Sequence, residues 1–150
     1  MNDSSKKFNK EAQFQIVKAE FEMTQNQMDK YDDISIKIKT WAVTLWGASM
    51  GWFFQTKNKE ILLLGLVITI FFWIIDIINK NYRTNYKTRR NEVVKAMNEH
   101  FQKGEWPKNF TSPEPPLNKK IEIKHVILMP HMSVFYIALF SLALLLFFIK

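Results

Sequence analysis

Apolar residues concentrate in three blocks, Thr40–Phe54, Ile61–Asn79 and His131–Ile149, and the charges lie between them. The middle block holds a single charge, Asp76, and the last holds none apart from His131. A hydrocarbon core about 30 Å thick takes roughly 20 mostly apolar helical residues to cross. The second and third blocks suit that length. The first is short, and the amphipathic lead-in from Ile34 extends it to a crossing length. Upstream, beyond a polar stretch at residues 1–7, Phe14, Val17, Phe21, Thr24, Met28 and Tyr31 recur at alternating spacings of three and four. That is a heptad seam. It continues through Ile34 or Ser35 to Ile38, Trp41 or Ala42, and Leu45, with no Pro or Gly to interrupt it. The spacing predicts one long helix running from the polar segment into the first block. Its seam has two compatible partners: the chain's own second helix, or neighbouring subunits.

The second block predicts a helix that runs on past its apolar end. Tyr82, Tyr86, Val93, Met97 and Phe101 give it a sparse apolar stripe, and Gly104 offers a C-terminal cap. Pro107, Pro113, Pro115 and Pro116 make Glu105–Asn118 a semi-rigid connector. Ile121, Ile123 and Val126 fit a short strand or an interfacial elbow, and Pro130 suits the first turn of a third helix. The expected fold is therefore all-α: an integral membrane protein with three transmembrane helices and a cytoplasmic helical bundle. Its parts are a helix at 1–39, a hairpin at 40–79 with spans 40–54 and 61–79, a basic helix at 80–104, a connector and elbow at 105–130, and a third span at 131–149. Trp41 and Trp52 suit the two interfaces of the first span.

Charge orients this arrangement. The chain carries +7 overall, and residues 80–124 hold eleven Lys or Arg against five acids, a net of +6. Seven Lys precede residue 40, whereas the turn between the first two spans has Lys57 and Lys59. Short basic flanks stay cytoplasmic, so both ends of the hairpin are expected in the cytoplasm, with a multi-pass topology, a cytoplasmic N-terminus and Lys150 outside. The first apolar run begins too deep for a signal peptide. Cysteine is absent, which removes disulfides and thiolate metal sites. The histidines are His100, His125 and His131, and the last two flank a Pro at a spacing unlike that of zinc ligands. Glycine-rich phosphate loops are also missing. With scattered acids and no ligand cluster, the chain is expected to be neither an enzyme nor a cofactor or metal carrier.

Three groups of residues carry the candidate chemistry. Thr40, Thr44, Gly47 and Gly51 lie on nearly one face of the first span, and Gly47–Gly51 is a G-x-x-x-G, which lets helix backbones approach closely in lipid. This face fits either packing on the second span or the lining of a shared pore. Asp76 shares a face with Gly65 and Thr69. Ionisable groups inside spans usually face an interior or water. Asp76 therefore fits three roles: a local pair with Lys80 at i+4, a cation-selecting ring with one carboxylate per subunit, or a proton relay. Finally, Lys80, Arg83, Lys87 and Arg90 recur at three, four and three, flanked by Arg89 and interleaved with Tyr82 and Tyr86. Anionic lipid headgroups match this stripe. So does a phosphate-rich ligand, a nucleotide or a short single-stranded oligonucleotide, with tyrosines stacking on bases.

The succession of Phe14–Tyr31, Thr40–Phe54, Ile61–Asn79 and Lys80–Phe101 resembles the small membrane effectors of bacterial anti-phage defence systems. The SLATT group has this helix–hairpin–helix plan. The membrane effectors of Hailong-type systems, in which a nucleotidyltransferase makes DNA oligomers that control a channel, are similar in kind. His131–Ile149 departs from the two-span SLATT plan. The resemblance implies a gated oligomeric pore that depolarises the bacterial inner (cytoplasmic) membrane, with a nucleotidyltransferase in the same system. The leading expectation is thus a homo-oligomeric ion channel, taken as a tetramer, gated by a phosphate-rich ligand at its basic cytoplasmic face. The alternative is a non-conducting anchor or adaptor that docks a soluble partner through its cytoplasmic helices.

Overall fold

The computed structural model describes residues 3–116 and 130–148, and these form three helices and no strand. The expected elbow at Ile121, Ile123 and Val126 and the ring of His125 lie outside the described residues, as does the side chain of His131. Helix α1 is Asp3–Thr56, α2 is Glu60–Lys103 and α3 is Pro130–Phe148. Among the described residues, α2 alone is long and apolar enough, by length and composition, to cross a membrane; Ser133–Phe148 is apolar but shorter.

The ends of the helices follow local chemistry. Lys57 takes a left-handed conformation (φ 56°), and its amide donates to the Phe53 carbonyl at 2.7 Å, closing α1. The Asn58 side-chain carbonyl accepts from the Glu60 amide at 2.9 Å, satisfying a donor that helix geometry leaves free at the start of α2. Gly104 (φ 72°) ends α2, its amide donating to the His100 carbonyl at 2.8 Å. His100 and Lys103 in that last turn complement the negative end of the helix dipole. Pro130 opens α3, where its missing N–H removes no helical hydrogen bond.

The chain divides into two compact units, one of residues 1–30 with 83–119 and the other of 31–82 with 120–150. In the first, Val17, Thr24 and Met28 of α1 and Val93 and Ala96 of α2 are buried, and the Phe14 and Phe101 rings meet edge-on at 5.8 Å. In the second, Met50, Phe53, Ile61 and Leu62 form a core cluster, with Trp46 and, from α3, Leu146 and Phe147 packed against it. Gly65 allows a close approach there: a Cβ on it would lie 2.8 Å from Met50 Cε. Lys59 donates to the Phe147 carbonyl at 3.0 Å and sits 5.4 Å from the centre of the Phe147 ring, capping the C-terminal end of α3 from the α1–α2 turn.

The expected seam of α1 is buried at Val17, Thr24, Met28, Ser35, Ile38 and Ala42, but Leu45 is exposed and Trp46, Ser49 and Met50 take its place. A straight helix has about 3.6 residues per turn, so a strict seven-residue repeat drifts by roughly 20° per heptad. After four heptads the buried line has moved on by nearly one residue.

Candidate functional site

Each unit holds a buried polar cluster on its own helix seam. In the second unit the cluster is built on Asp76, which α2 places fully inside (0% exposed). Ser35 of α1 donates to its Oδ1 at 2.7 Å, and Tyr136 of α3 donates to its Oδ2 at 3.2 Å. Lys39 Nζ lies 3.7 Å from the same Oδ2. One carboxylate thus engages all three helices. A turn further along α2, the Asn79 amide donates to the Tyr31 carbonyl at 2.8 Å, and Tyr31 stacks on Tyr82 at 6.1 Å. Tyr136 stacks on Trp73 at 6.2 Å, beside a cavity of about 360 Å³ bounded by Thr69, Ile70, Trp73, Tyr136, Ile137 and Phe140. Such a buried carboxylate is tolerated because every lone pair direction in use meets a donor or a cation.

The expected pore-lining residues separate into two groups. Thr40, Thr44, Gly47 and Gly51 are all exposed. The two threonines donate back to the carbonyls of Ile36 and Thr40, each at 2.9 Å, and a Cβ at either glycine would meet nothing within 4 Å. The G-x-x-x-G therefore does not mediate packing of α1 on α2; Gly65, against Met50 and Trp46, provides that close approach. Thr69 and Asp76 are buried instead, and Thr69 donates to the Gly65 carbonyl at 2.8 Å. Thr69 and Asp76, the alternative pore-lining pair, are thus enclosed within the single chain, and Asp76 has no exposed surface.

The first unit's cluster is built on the residue that flanks the basic stripe. Arg89, expected on the ligand-binding stripe, is buried. Its Nε donates to Glu20 Oε1 at 2.7 Å, its Nη1 to Glu114 Oε2 at 3.2 Å and to Glu92 Oε2 at 3.4 Å, and its Nη2 to the Thr111 carbonyl at 2.6 Å. Its guanidinium also lies 5.5 Å from the centre of the Phe110 ring. Glu20 accepts further from the Ser112 hydroxyl and, at 3.3 Å, from the Glu114 amide. The result is a staple joining α1, α2 and the connector. Burial by itself pushes the Glu20 carboxyl up, but hydrogen bonds from Arg89, Ser112 and the Glu114 amide, with the Arg89 charge, outweigh it and hold the group below the usual carboxylate range. Burial likewise opposes the Arg89 charge, and the bond and charge of Glu20 reverse that effect.

Of the remaining stripe, Lys87 is exposed, whereas Lys80, Arg83, Tyr86 and Arg90 are half-buried. The Arg90 guanidinium sits 5.6 Å from the centre of the Phe21 ring. Tyr82 keeps an exposed face while stacking on Tyr31.

Glu20, Glu114 and Tyr136 were not singled out from the sequence, and Ser35 entered only as an alternative position of the seam. Glu20 did leave a signal: it sits three residues after Val17 and four before Thr24, which puts a charge at seam spacing. A carboxylate there needs a buried cation opposite. No group of three or more His, Cys, Asp and Glu suited to a metal ion occurs among the described residues. No protein-family model, curated protein or solved structure matches the chain.

Proposed function

We propose that this chain is an integral membrane protein that assembles into a homo-oligomeric pore. One observation carries the reading. The second unit buries polar groups (Ser35, Ser49, Thr69, Asp76, Asn79) and exposes large apolar ones, among them Val67, Phe71, Ile74 and Ile78 on α2 and Val134 and Ile137 on α3. That is the reverse of what water demands, and exposed apolar surface on this scale needs lipid or protein around it. Against this surface the uncharged strip Thr40–Thr44–Gly47–Gly51 is exposed and mildly polar. In a ring of copies that strip faces its counterparts and lines the path of an ion. The exposed Trp41 and Trp52 suit the two interfaces. In this reading α3, at 19 residues, covers about 28 Å at 1.5 Å per residue, and the span of α1 begins near Ile34. Lys87 and its half-buried neighbours Arg83 and Arg90 form the face at which a phosphate-bearing ligand biases opening, provided that it binds the open and closed states with different affinity.

The sequestered Asp76 favours a second reading, a non-conducting anchor, because the membrane-buried charge is satisfied within one chain. Planar-bilayer recording of the purified protein, before and after addition of a short oligonucleotide, separates the two. Discrete currents whose amplitude changes in a Thr44→Leu variant support the pore. Silence from a folded oligomer under both conditions overturns it in favour of the anchor.

A further inference from the structure

The cavity between α2 and α3 in the second unit takes no part in the proposed pore. It measures about 360 Å³, a size that suits a small ligand, and its walls are Thr69, Ile70 and Trp73 of α2 and Tyr136, Ile137 and Phe140 of α3. Ile70 and Ile137 are 44% and 52% exposed, so the rim belongs to the apolar outer surface of the unit. Three of the wall side chains carry a hydrogen-bond donor, those of Thr69, Trp73 and Tyr136. The Thr69 hydroxyl is committed to the Gly65 carbonyl and the Tyr136 hydroxyl to Asp76. Trp73 Nε1 is buried and has no hydrogen-bond partner among the described residues. An apolar space with one uncommitted donor calls for an occupant that is mostly hydrocarbon and carries an acceptor.

The two ends of this space differ. Helix α3 runs antiparallel to α2: Tyr136 meets Asp76, and the Phe147 carbonyl meets Lys59 at the α1–α2 turn. Lys80 lies seven residues beyond Trp73, and Ser133 seven residues before Phe140. Each is therefore two turns along on the same helix face, and both lie towards the same end. Residues 77–91 hold five Lys or Arg and no acid. The amides that open α3 lie at that end too, and the start of a helix favours an anion. Asp76 is turned instead to Ser35, Lys39 and Tyr136. Along one line the chain presents an apolar cavity, an N–H and then positive charge. The acyl chain, ester carbonyl and phosphate of a glycerophospholipid follow in the same order. We infer that the α2–α3 cavity holds one acyl chain of an anionic phospholipid whose phosphate lies at the level of Lys80. The inference rests on the membrane reading and not on conduction.

The test places the full-length protein in phosphatidylcholine vesicles that contain a small fraction of brominated phosphatidylglycerol or of brominated phosphatidylcholine, whose bromines quench tryptophan on contact. Subtracting the signal of the Trp73→Phe protein isolates Trp73 from the other tryptophans. Half-quenching of Trp73 should need about fivefold less of the anionic lipid, the preference that one basic residue near the surface confers. Lys80→Gln should bring that preference close to one, whereas Lys37→Gln on α1 should leave it. The unmutated protein, released from phosphatidylglycerol-containing vesicles in mild detergent, should retain one phospholipid per chain by native mass spectrometry. Equal quenching by the two lipids overturns the inference, since it reports contact with bulk lipid only. Absence of quenching by either overturns it as well, and means that a second copy or another segment fills the cavity. A preference that survives Lys80→Gln, or a mass without retained phospholipid, does the same. Silent protein that shows the preference removes the pore and keeps this site; conducting protein that is quenched equally by both lipids does the reverse.

Discussion

Two carboxylates decide most of what single substitutions should do. Glu20 and Arg89 are mutually satisfied and buried, so removing one partner leaves an uncompensated charge. Glu20→Ala should destabilise the first unit by about 3–5 kcal/mol, read as earlier unfolding in urea and faster amide exchange at residues 110–114. The pH dependence follows from the lowered Glu20 value. In the unfolded chain this carboxyl takes up its proton near the ordinary value of about 4.3, above the pH at which the folded one does. Its contribution is complete above that range and is lost as pH falls through the lowered folded value; between pH 7 and pH 5 this group adds no slope. Urea titrations at pH 7, 5 and 3 check this, and the Glu20→Gln protein should lack the acid-side loss. For Asp76, the clasp predicts that Asp76→Asn and Tyr136→Phe both loosen α3, read as increased exchange or proteolysis at residues 133–148. Ion selectivity in any conducting form should stay unchanged, because Ser35, Lys39 and Tyr136 of the same chain enclose the carboxylate.

At the scale of elements, the glycines separate by what surrounds them. Gly104 holds φ 72°, so Gly104→Ala should cost about 1–2 kcal/mol and fray the end of α2, visible as lost helical signal on heating. Gly65→Leu should push α1 and α2 apart through Met50, whereas Gly65→Ala should be milder because Met50 Cε is the far end of a flexible chain. Gly47→Ala should leave the monomer's stability unchanged. Much of this level was legible in the sequence: the stop at Gly104 and the start at Pro130 each follow from a cap or breaker at a known place, whereas α1 runs to Thr56, two residues beyond the Phe54 that the apolar block suggests. The exposed side of Leu45 was not, because a seven-residue template ignores the drift of a straight helix. Arg89 was read only as a flank of the basic stripe, and its partners Glu20, Thr111 and Glu114, brought in from elsewhere in the chain, turn it inward. Asp76 stood out as a lone charge in an apolar run, yet its partners Ser35 and Tyr136 lie 41 and 60 residues away, beyond the reach of any local pattern.

For the whole molecule, the reversal of polar and apolar positions in the second unit sets the expectation that the protein partitions into membranes and resists extraction by alkaline carbonate; recovery in the soluble fraction would remove the membrane reading and the pore with it. The Lys59 contact adds a point about order in time. The α1–α2 hairpin is synthesised before α3, yet the amine at its turn is satisfied by a carbonyl of α3, and the carboxylate inside the hairpin is completed by the hydroxyl of Tyr136 from that same helix. The hairpin alone therefore leaves Asp76 with Ser35 and Lys39, and the third helix adds the hydroxyl that reaches its Oδ2.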